Sequence, residues 1–271
     1  MKEISSLELS RKLRVRILEL AFKVGKNGSH IGGALSIVDL LVILYKNVLK
    51  FNIEDKLNNN RDRFILSKGH SANALYGILE IFEYMSKEEV DSFEVNGSPY
   101  YAHASRNIQK GIEFSGGSLS LGLSFGVGVA LSCKKNSINN HIYVLVGDGE
   151  CDEGLIWESL MSAKNFELSN LTVIVDCNGI QSDGFKEDVM NQFSLIDKFS
   201  AFGFNTIEIN GHDHDAILKA FNNKDLNRPN AIIAKTIKGK GVSFMENDVL
   251  WHHGVLSQIQ FEKAIEELKL K

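Results

Sequence analysis

Two short turns in the sequence carry residues suited to holding a divalent cation and phosphate oxygens. Gly147-Asp148-Gly149-Glu150 directly follows the apolar run 142–146, and Asn178-Gly179-Ile180 comes shortly after the apolar run 171–175. Glycines allow a ligand to approach the backbone closely, and a helix beginning after such a turn offers free N–H groups to a diphosphate. Because a carboxylate would repel a bare diphosphate, Asp148 suits this place if it holds a cation such as Mg²⁺ that bridges the phosphate oxygens.

Asp-Gly and Asn-Gly are also common turn dipeptides, so a purely structural role is the alternative for each turn taken alone. The two turns favour a site when considered together, because each follows an apolar run and Asn178 comes 30 residues after Asp148. Adjacent parallel strands bring their carboxyl ends together. The side chains of Asp148 and Asn178 could then face one ion.

Strands and helices alternate along the chain. Strands are predicted at 64–66, 142–146, 171–175, 206–209 and 231–234, and helices at 13–24, 153–166 and 257–270. Ser36 and Asp39 form the pattern of a capping box ahead of the apolar run 40–44. Unbroken apolar runs suit parallel strands buried on both faces. The sequence therefore predicts an α/β fold whose central parallel sheet is flanked by helices on both faces, with ligands beyond the carboxyl ends of the strands.

Composition narrows the class of protein. The 271 residues are 44% hydrophobic and 24% charged, without repeats or linkers, so we expect one domain over residues 1–271. A net charge of −4 gives no reason to expect nucleic acid as a partner. The start does not resemble a signal peptide, and the longest apolar stretch, 119–133, is shorter than the roughly 20 residues that span a bilayer. Three cysteines without metal-ligand spacing fit reduced thiols, so we expect a cytoplasmic protein that is not bound to a membrane.

Histidines recur beside glycine-rich segments. The contexts are Gly28-Ser29-His30-Ile31-Gly32-Gly33, Ser67-Lys68-Gly69-His70, Tyr101-Ala102-His103 ahead of Gly116-Gly117-Ser118-Leu119, and Lys238-Gly239-Lys240-Gly241 ahead of Trp251-His252-His253-Gly254. Imidazole titrates near neutral pH and can both bind and deprotonate hydroxyl groups. His141, His212 and His214 have no comparable context, and we expect structural roles for them.

Together these motifs resemble those of thiamine diphosphate enzymes, and the histidine contexts resemble the N-terminal part of the transketolase family. The resemblance implies that the metal, Mg²⁺ or alternatively Ca²⁺ or Mn²⁺, is held by Asp148, Asn178 and the carbonyl group of Ile180. It implies that thiamine diphosphate is bound by these three residues and by Gly147, Gly149, Glu150, His70 and His253, with Gly117, Ser118 and Leu119 against its aminopyrimidine ring. Ile31 stands where the family more often has proline, and Ser120-Leu121 where Gly-Gln is common.

Catalytic roles also come from the resemblance. It implies that His103 bonds the transferred ketol group, that His30 and His253 contact the hydroxyl group next to the scissile bond, and that His70 lies near the diphosphate and the substrate. His252 remains an alternative to His253. Glu153 matches a glutamate at the family's subunit interface, but an acidic residue in the first turn of a helix is an equal alternative.

The resemblance covers only the first part of a whole transketolase. The family needs a second module that binds the pyrimidine ring, so a separate C-terminal subunit is expected, in a two-plus-two heterotetramer that acts on sugar phosphates. The expected reaction is reversible transfer of a two-carbon ketol unit from a ketose to an aldose. The alternatives are another thiamine diphosphate enzyme, such as a deoxyxylulose phosphate synthase or the alpha chain of a keto-acid dehydrogenase, and a non-catalytic regulatory subunit.

Overall fold

A computed structural model describes residues 4–51 and 53–270 of the protein. Its α-helices are α1 (Ser6–Val24), α2 (Gly32–Leu35), α3 (Val38–Ile43), α4 (Ala72–Ile81), α5 (Lys87–Asp91), α6 (Leu121–Lys135), α7 (Gly154–Asn165), α8 (Lys186–Val189), α9 (Leu195–Ala201), α10 (His214–Asn222) and α11 (Gln258–Lys269). Its strands are β1 (Arg63–Leu66), β2 (Ile142–Gly147), β3 (Leu171–Cys177), β4 (Asn205–Asn210) and β5 (Asn230–Lys235). Across the described ranges, no helix is long and apolar enough to cross a bilayer.

The five strands form one parallel sheet in the order β1-β2-β3-β5-β4. Every residue of β3 is buried, which is why its sequence is an almost unbroken apolar run. All five predicted strands are confirmed. The carboxyl ends of β1, β2, β3 and β5 meet at one edge of the sheet, and the turns singled out by sequence leave from this edge.

Helices cover both faces of the sheet. Alternate side chains of each strand point to opposite faces and therefore enter two different cores. Tyr143 and Leu145 of β2 pack in the core shared with α1, α3, α4 and α10. Val144 and Val146 of the same strand pack in the second core, shared with α6, α7 and α9. The predicted α/β class, with a parallel sheet between two helical layers, is confirmed.

Helix α6 lies unusually close to the sheet. A Cβ atom at Gly126 would come within 2.5 Å of Val144 Cγ2, and one at Gly122 within 2.6 Å of the Ser67 backbone. Only glycine permits this approach. The glycine-rich run therefore forms a helix that packs closely against the sheet.

One local prediction differs from the structure. The capping box at Ser36 and Asp39 is wrong: α3 begins after Ile37 without a side-chain cap. Both side chains are buried and serve tertiary partners instead, Ser36 through the Asp176 carboxylate and Asp39 through Arg14. In addition, a 3₁₀ turn over Gly149–Asp152 lies between the glycine turn and helix α7.

Candidate active site

A cavity of about 180 Å³ opens at the carboxyl ends of the strands. Its walls come from segments that follow β1, β2, β3 and β5, from the first turn of α2 and from the segment ahead of α6. The lining residues are Gly33, Lys68, His70, Leu119, Gly147, Asp148, Gly149, Glu150, Asn178, Ile180, Gln181, Ser182, Lys238 and His252. Eight of the residues proposed from sequence are among them, so segments distant in the chain meet at one cavity.

Asp148 caps the turn after β2 and is 2% exposed. Its Oδ1 accepts a hydrogen bond from the Gly149 N–H at 3.0 Å, and its Oδ2 accepts one from the Gly179 N–H at 2.7 Å. Burial and the nearby Asp176 carboxylate raise the pKa of Asp148. A divalent cation at this carboxylate would offset both effects.

Asn178 and Ile180 belong to the turn after β3, and they face Asp148 across the cavity. The Asn178 Oδ1 accepts a hydrogen bond from the Ile180 N–H at 3.1 Å, and the Ile180 carbonyl oxygen accepts one from Lys238 Nζ at 2.9 Å. In the described ranges no cluster of three His, Cys, Asp or Glu side chains could hold a metal. The candidate donors are instead one carboxylate, one amide oxygen and one backbone carbonyl, a set of oxygen ligands that fits Mg²⁺ with phosphate and water completing its coordination.

Two buried lysines supply positive charge to the cavity, and the sequence reasoning did not assign them a role. Lys68 Nζ donates to the Asp176 carboxylate at 2.5 Å and to the Gly33 carbonyl at 2.8 Å. Lys238 Nζ donates to two backbone carbonyls and, at 2.9 Å, to His252 Nδ1. Burial, followed by the charge of Lys68, lowers the pKa of Lys238 to about 8. The Ser-Lys-Gly-His and Lys-Gly-Lys-Gly motifs contained this signal, since each places its lysine within a few residues of the carboxyl end of a strand.

Glu150 fastens the glycine turn to two other segments. Its side chain accepts hydrogen bonds from Ser67 Oγ, from the Ser120 N–H at 2.7 Å and from the Gly147 N–H at 3.0 Å. Burial raises the pKa of Glu150, since it is 3% exposed. Its carboxylate oxygens are thus engaged within the protein while its backbone lines the turn.

Three of the four histidines proposed as catalytic surround the fourth, His30. Its ring centroid lies 4.6 Å from that of His253, 5.4 Å from that of His70 and 5.8 Å from that of His103. His252 also belongs to the cluster, with its ring centroid 5.6 Å from that of His30. Four separate segments therefore bring five imidazoles together beside the cavity.

Backbone pairing holds two of these segments against each other. The N–H of Ser29 donates to the Gly254 carbonyl at 2.9 Å, and the N–H of Gly254 donates back at 3.0 Å. Gly28 has φ of +71°, and a Cβ atom there would lie 2.8 Å from the His253 Cε1. Glycine is required at this position for both reasons, which explains its place ahead of His30.

His252 and His253 take different positions. His252 lines the cavity and bonds Lys238, whereas His253 is exposed and packs against His30 outside the lining. Burial and the neighbouring positive charge of Lys238 lower the pKa of His252 to about 3. Burial and the neighbouring imidazoles of His253 and His103 lower the pKa of His30 to about 4. The pKa of His70 is lowered as well, mainly by burial. These three imidazoles are therefore neutral at pH 7, and each ring has one nitrogen that can accept a hydrogen bond.

The segment Gly117-Ser118-Leu119 forms an exposed margin of the cavity, and Leu119 belongs to its lining. The segment touches the turn that carries His70, because a Cβ atom at Gly69 would lie 2.8 Å from the Gly117 nitrogen. Glu153 is exposed just ahead of α7. These residues lie on the open side of the cavity, and sequence-based roles for them remain predictions.

The three remaining histidines make hydrogen bonds within the fold. His141 Nε2 lies 2.8 Å from Thr172 Oγ1 at the opposite end of the sheet. His212 and His214 both bond the Asp39 carboxylate, at 2.8 Å and 3.1 Å. None of them lines the cavity.

A diphosphate-binding α/β domain is the class that this fold and this cavity define, and comparison with known proteins agrees. Residues 10–270 match the family described as "Transketolase, thiamine diphosphate binding domain". The chain belongs to this transketolase family. It is 39% identical over 269 residues to one of the subunits of the apulose-4-phosphate transketolase of Phocaeicola vulgatus, covering 98% of this chain and 95% of that protein. It is 36% identical to a 6-deoxy-6-sulfo-D-fructose transketolase subunit of Clostridium sp. (strain MSTE9), covering 91% of each.

Whole transketolases are similar over part of their length. The human enzyme is 31% identical over 94% of this chain and 41% of its own length. The transketolase structure from Campylobacter jejuni superposes with a TM-score of 0.86 at 30% identity, covering 97% of this chain and 42% of that one. This chain thus spans about two fifths of a whole transketolase and nearly all of the relatives named as subunits. The prediction of a transketolase enzyme subunit with a thiamine diphosphate-binding domain is confirmed.

Proposed function

We propose that this chain binds the diphosphate of thiamine diphosphate through Mg²⁺ and, with a second subunit, transfers a two-carbon ketol unit from a ketose or ketose phosphate to an aldose or aldose phosphate. The observation that carries the proposal is the convergence of Asp148, Asn178, two lysines and five histidines at one cavity. When bound, thiamine diphosphate supplies the nucleophilic carbon and the electron sink for cleaving the carbon–carbon bond.

Asp148, the Asn178 amide oxygen and the Ile180 carbonyl would hold the metal, with Ca²⁺ or Mn²⁺ as substitutes. Lys68 and Lys238 would compensate the diphosphate charge, since charge-assisted hydrogen bonds to phosphate are among the stronger polar contacts in proteins. The N–H groups of Gly147 and Gly149 are engaged by carboxylates of the same turn. These two residues therefore contribute by allowing close approach of a ligand rather than by donating hydrogen bonds.

The histidines would bind and orient the substrate. His103 would bond the transferred ketol group, and His30 with His253 would bind the hydroxyl group beside the scissile bond. The low pKa values of His30 and His252 keep both imidazoles neutral at physiological pH, so His30 can accept a hydrogen bond from a substrate hydroxyl group. Because His252 lines the cavity beside Lys238, we assign the contact with the cofactor to His252 together with His70, and the substrate side to His253.

A second subunit would supply the pyrimidine-binding module and would close the exposed side of the cavity, where Gly117, Ser118 and Glu153 lie. The names of the relatives that this chain covers almost completely describe subunits, which supports a two-chain enzyme. We propose a two-plus-two heterotetramer with one domain in residues 1–271. The three cysteines are buried free thiols, which supports placement in the cytoplasm.

The test co-expresses this chain with the protein encoded beside its gene and measures ketol transfer with thiamine diphosphate and Mg²⁺. Donors are xylulose 5-phosphate and, because of the names of the relatives, apulose 4-phosphate and 6-deoxy-6-sulfofructose. Wild type is compared with Asp148→Asn and with the control Asp62→Asn. Asp62 is also a buried carboxylate that accepts two backbone N–H groups, but it lies ahead of β1 at the opposite end of the sheet.

We expect activity to require both chains and to fall by at least about a hundredfold in Asp148→Asn, since even groups that only support metal ligands contribute 10- to 100-fold. Asp62→Asn should lower the unfolding temperature without changing the concentration of Mg²⁺ at half-saturation. Equal activity of wild type and Asp148→Asn would refute the metal assignment. Failure of wild type to bind thiamine diphosphate, with the second chain present, would refute the proposal as a whole.

A further inference from the structure

Asp176 lies beneath the cavity and was not among the site residues that the sequence indicated. It is the penultimate residue of β3, between Gly147 of β2 and Ala234 of β5 in the register of the sheet. Its side chain is completely buried. A buried carboxylate in the middle of a parallel sheet is costly unless it is paired and hydrogen-bonded, so its partners identify its role.

Four segments donate to this one carboxylate. Asp176 Oδ2 accepts Lys68 Nζ at 2.5 Å, Ser36 Oγ at 2.7 Å and Asn178 Nδ2 at 2.9 Å. Asp176 Oδ1 accepts Thr236 Oγ1 at 2.5 Å. The Lys68 ammonium at 2.5 Å and the three neutral donors around the carboxylate all favour its charged form, so the group is ionised. It therefore accepts hydrogen bonds and donates none.

This property fixes the orientation of the Asn178 amide. Because the carboxylate can only accept, the amide nitrogen of Asn178 must point toward it, and the amide oxygen must point away. The oxygen then lies on the cavity side, where it accepts the Ile180 N–H and shares the lining with Asp148. A neutral amide at position 176 could donate a hydrogen bond instead and would permit the Asn178 amide to rotate by 180°.

We propose that Asp176 is a positioning residue: it turns the amide oxygen of Asn178 toward the metal site and holds the Lys68 ammonium at the diphosphate side of the same cavity. The inference depends on the proposed function for the identity of the ligands. It goes further in assigning the geometry of two binding groups to one residue that touches neither ligand.

The experiment compares Asp176→Asn with Thr236→Val, in the full chain together with its second subunit. Thr236→Val is nearly isosteric and removes one hydrogen bond to the same carboxylate, but leaves the contacts with Asn178 and Lys68 in place. Mn²⁺ binding is measured by electron paramagnetic resonance in the presence of thiamine diphosphate, and thiamine diphosphate binding by calorimetry at saturating Mg²⁺. Unfolding temperatures are recorded for both variants.

We expect Asp176→Asn to weaken both Mn²⁺ and thiamine diphosphate binding at least tenfold, and Thr236→Val to change either by less than twofold. A purely structural role would instead weaken binding in the two variants in proportion to their loss of stability. Binding by folded Asp176→Asn within twofold of wild type, or an equal loss in Thr236→Val, would overturn the inference. If wild type itself binds no thiamine diphosphate, the proposed function fails first, and the two failures are thereby distinguished.

Asp176→Asn leaves the Lys68 ammonium buried without its partner and can therefore prevent folding. The exchange Asp176→Asn with Asn178→Asp keeps one carboxylate and one amide in contact and conserves the buried charge. A carboxylate at position 178 presents an oxygen on either side and needs no partner to orient it, so we expect this double variant to bind Mn²⁺ within about threefold of wild type. Mn²⁺ binding by the folded double variant at least tenfold weaker than wild type would overturn the inference even if Asp176→Asn cannot be purified.

Discussion

The two sides of the cavity differ in kind. The inner side is polar and buried: Lys68, Asp148 and Lys238 are at most 2% exposed, and each is hydrogen-bonded within the chain. The outer side, formed by Leu119 and the segment 185–193, carries several exposed apolar side chains, of which Phe193 is 78% exposed. Gln192 ties this segment to the site through a hydrogen bond to the Asp148 carbonyl at 2.6 Å.

This contrast supports the proposal that this chain forms the inner side by itself and that a second subunit covers the outer side. The inner side is organised by contacts within the chain, so its geometry needs no second protein. Large apolar side chains grouped beside a polar cavity are characteristic of a surface that another protein covers. Substitutions on the inner side should therefore change cofactor binding, whereas matched substitutions elsewhere in the chain should not.

The largest effect is expected from Lys238→Met. Loss of a charge-assisted hydrogen bond costs about 1.5–3 kcal/mol, so the thiamine diphosphate concentration at half-saturation should rise roughly 10- to 100-fold. The effect on the unfolding temperature should be small, because the carbonyl groups that lose Lys238 line a cavity that water can enter. Calorimetric titration of the two-chain enzyme measures the binding.

Lys224→Met is the matched control for Lys238→Met. Burial lowers the pKa of Lys224 too, but its Nζ bonds the Tyr143 hydroxyl group beyond the other end of the sheet. This variant should leave the cofactor concentration at half-saturation unchanged. If both variants weaken binding equally, the inner side is not a separate binding region.

The sequence predicted β2, β3 and β5 well because burial on both faces requires continuous apolar runs. The edge strand β4 is only partly buried, and its shorter alternating pattern still indicated a strand. The metal-binding turns and the histidines were also recognisable, since glycines and histidines stand in short motifs. Their meeting at one cavity required the parallel order of β1, β2 and β3, which the alternation of helices and strands only implied.

What the sequence did not predict depends on partners far apart in the chain. Lys68 alone suggests an exposed cation, and only its contact with Asp176, 108 residues away, explains its burial. Ser36 and Asp39 have the spacing of a capping box, but tertiary hydrogen bonds to Asp176 and Arg14 take precedence over the local pattern. His252 and His253 could not be distinguished by sequence, because their difference comes from the position of Lys238.

A smaller effect is expected from Gly28→Ala. Alanine would have to adopt φ of +71° and would place its Cβ atom 2.8 Å from His253 Cε1, which together should destabilise the chain by about 1–3 kcal/mol. Because Gly28 adjoins the pairing of Ser29 with Gly254, the shift should also raise the KM for the donor sugar. Urea unfolding and steady-state kinetics measure the two consequences.

Gly128→Ala provides the comparison away from the site. Gly128 is exposed on α6, and a Cβ atom there would meet nothing within 4 Å. Alanine should therefore stabilise the helix by about 0.5–1 kcal/mol. A Gly28→Ala variant as stable and active as Gly128→Ala would show that the histidine cluster does not depend on this close approach.

The smallest effect concerns pH. The pKa of His252 is lowered to about 3 in the folded chain, so the unfolded chain binds more protons than the folded chain as pH falls below about 6.5. This imidazole therefore contributes stability that is present above pH 6.5 and is lost as pH falls toward 3. His252→Asn should unfold less readily than wild type at pH 5 by about 1 kcal/mol, after allowing for its partial exposure, and should match wild type more closely at pH 7.5.

His141→Gln makes the pH comparison specific to the site. Burial also lowers the pKa of His141 to about 3, but its ring bonds Thr172 far from the cavity. Both variants should reduce the loss of stability in acid. Thiamine diphosphate with Mg²⁺ should reduce that loss further in His141→Gln, because an anion beside His252 stabilises its protonated form, and should have less effect in His252→Asn. Thermal unfolding between pH 4.5 and pH 8, with and without cofactor, measures these differences. If the cofactor stabilised both variants equally in acid, the diphosphate would not lie beside His252.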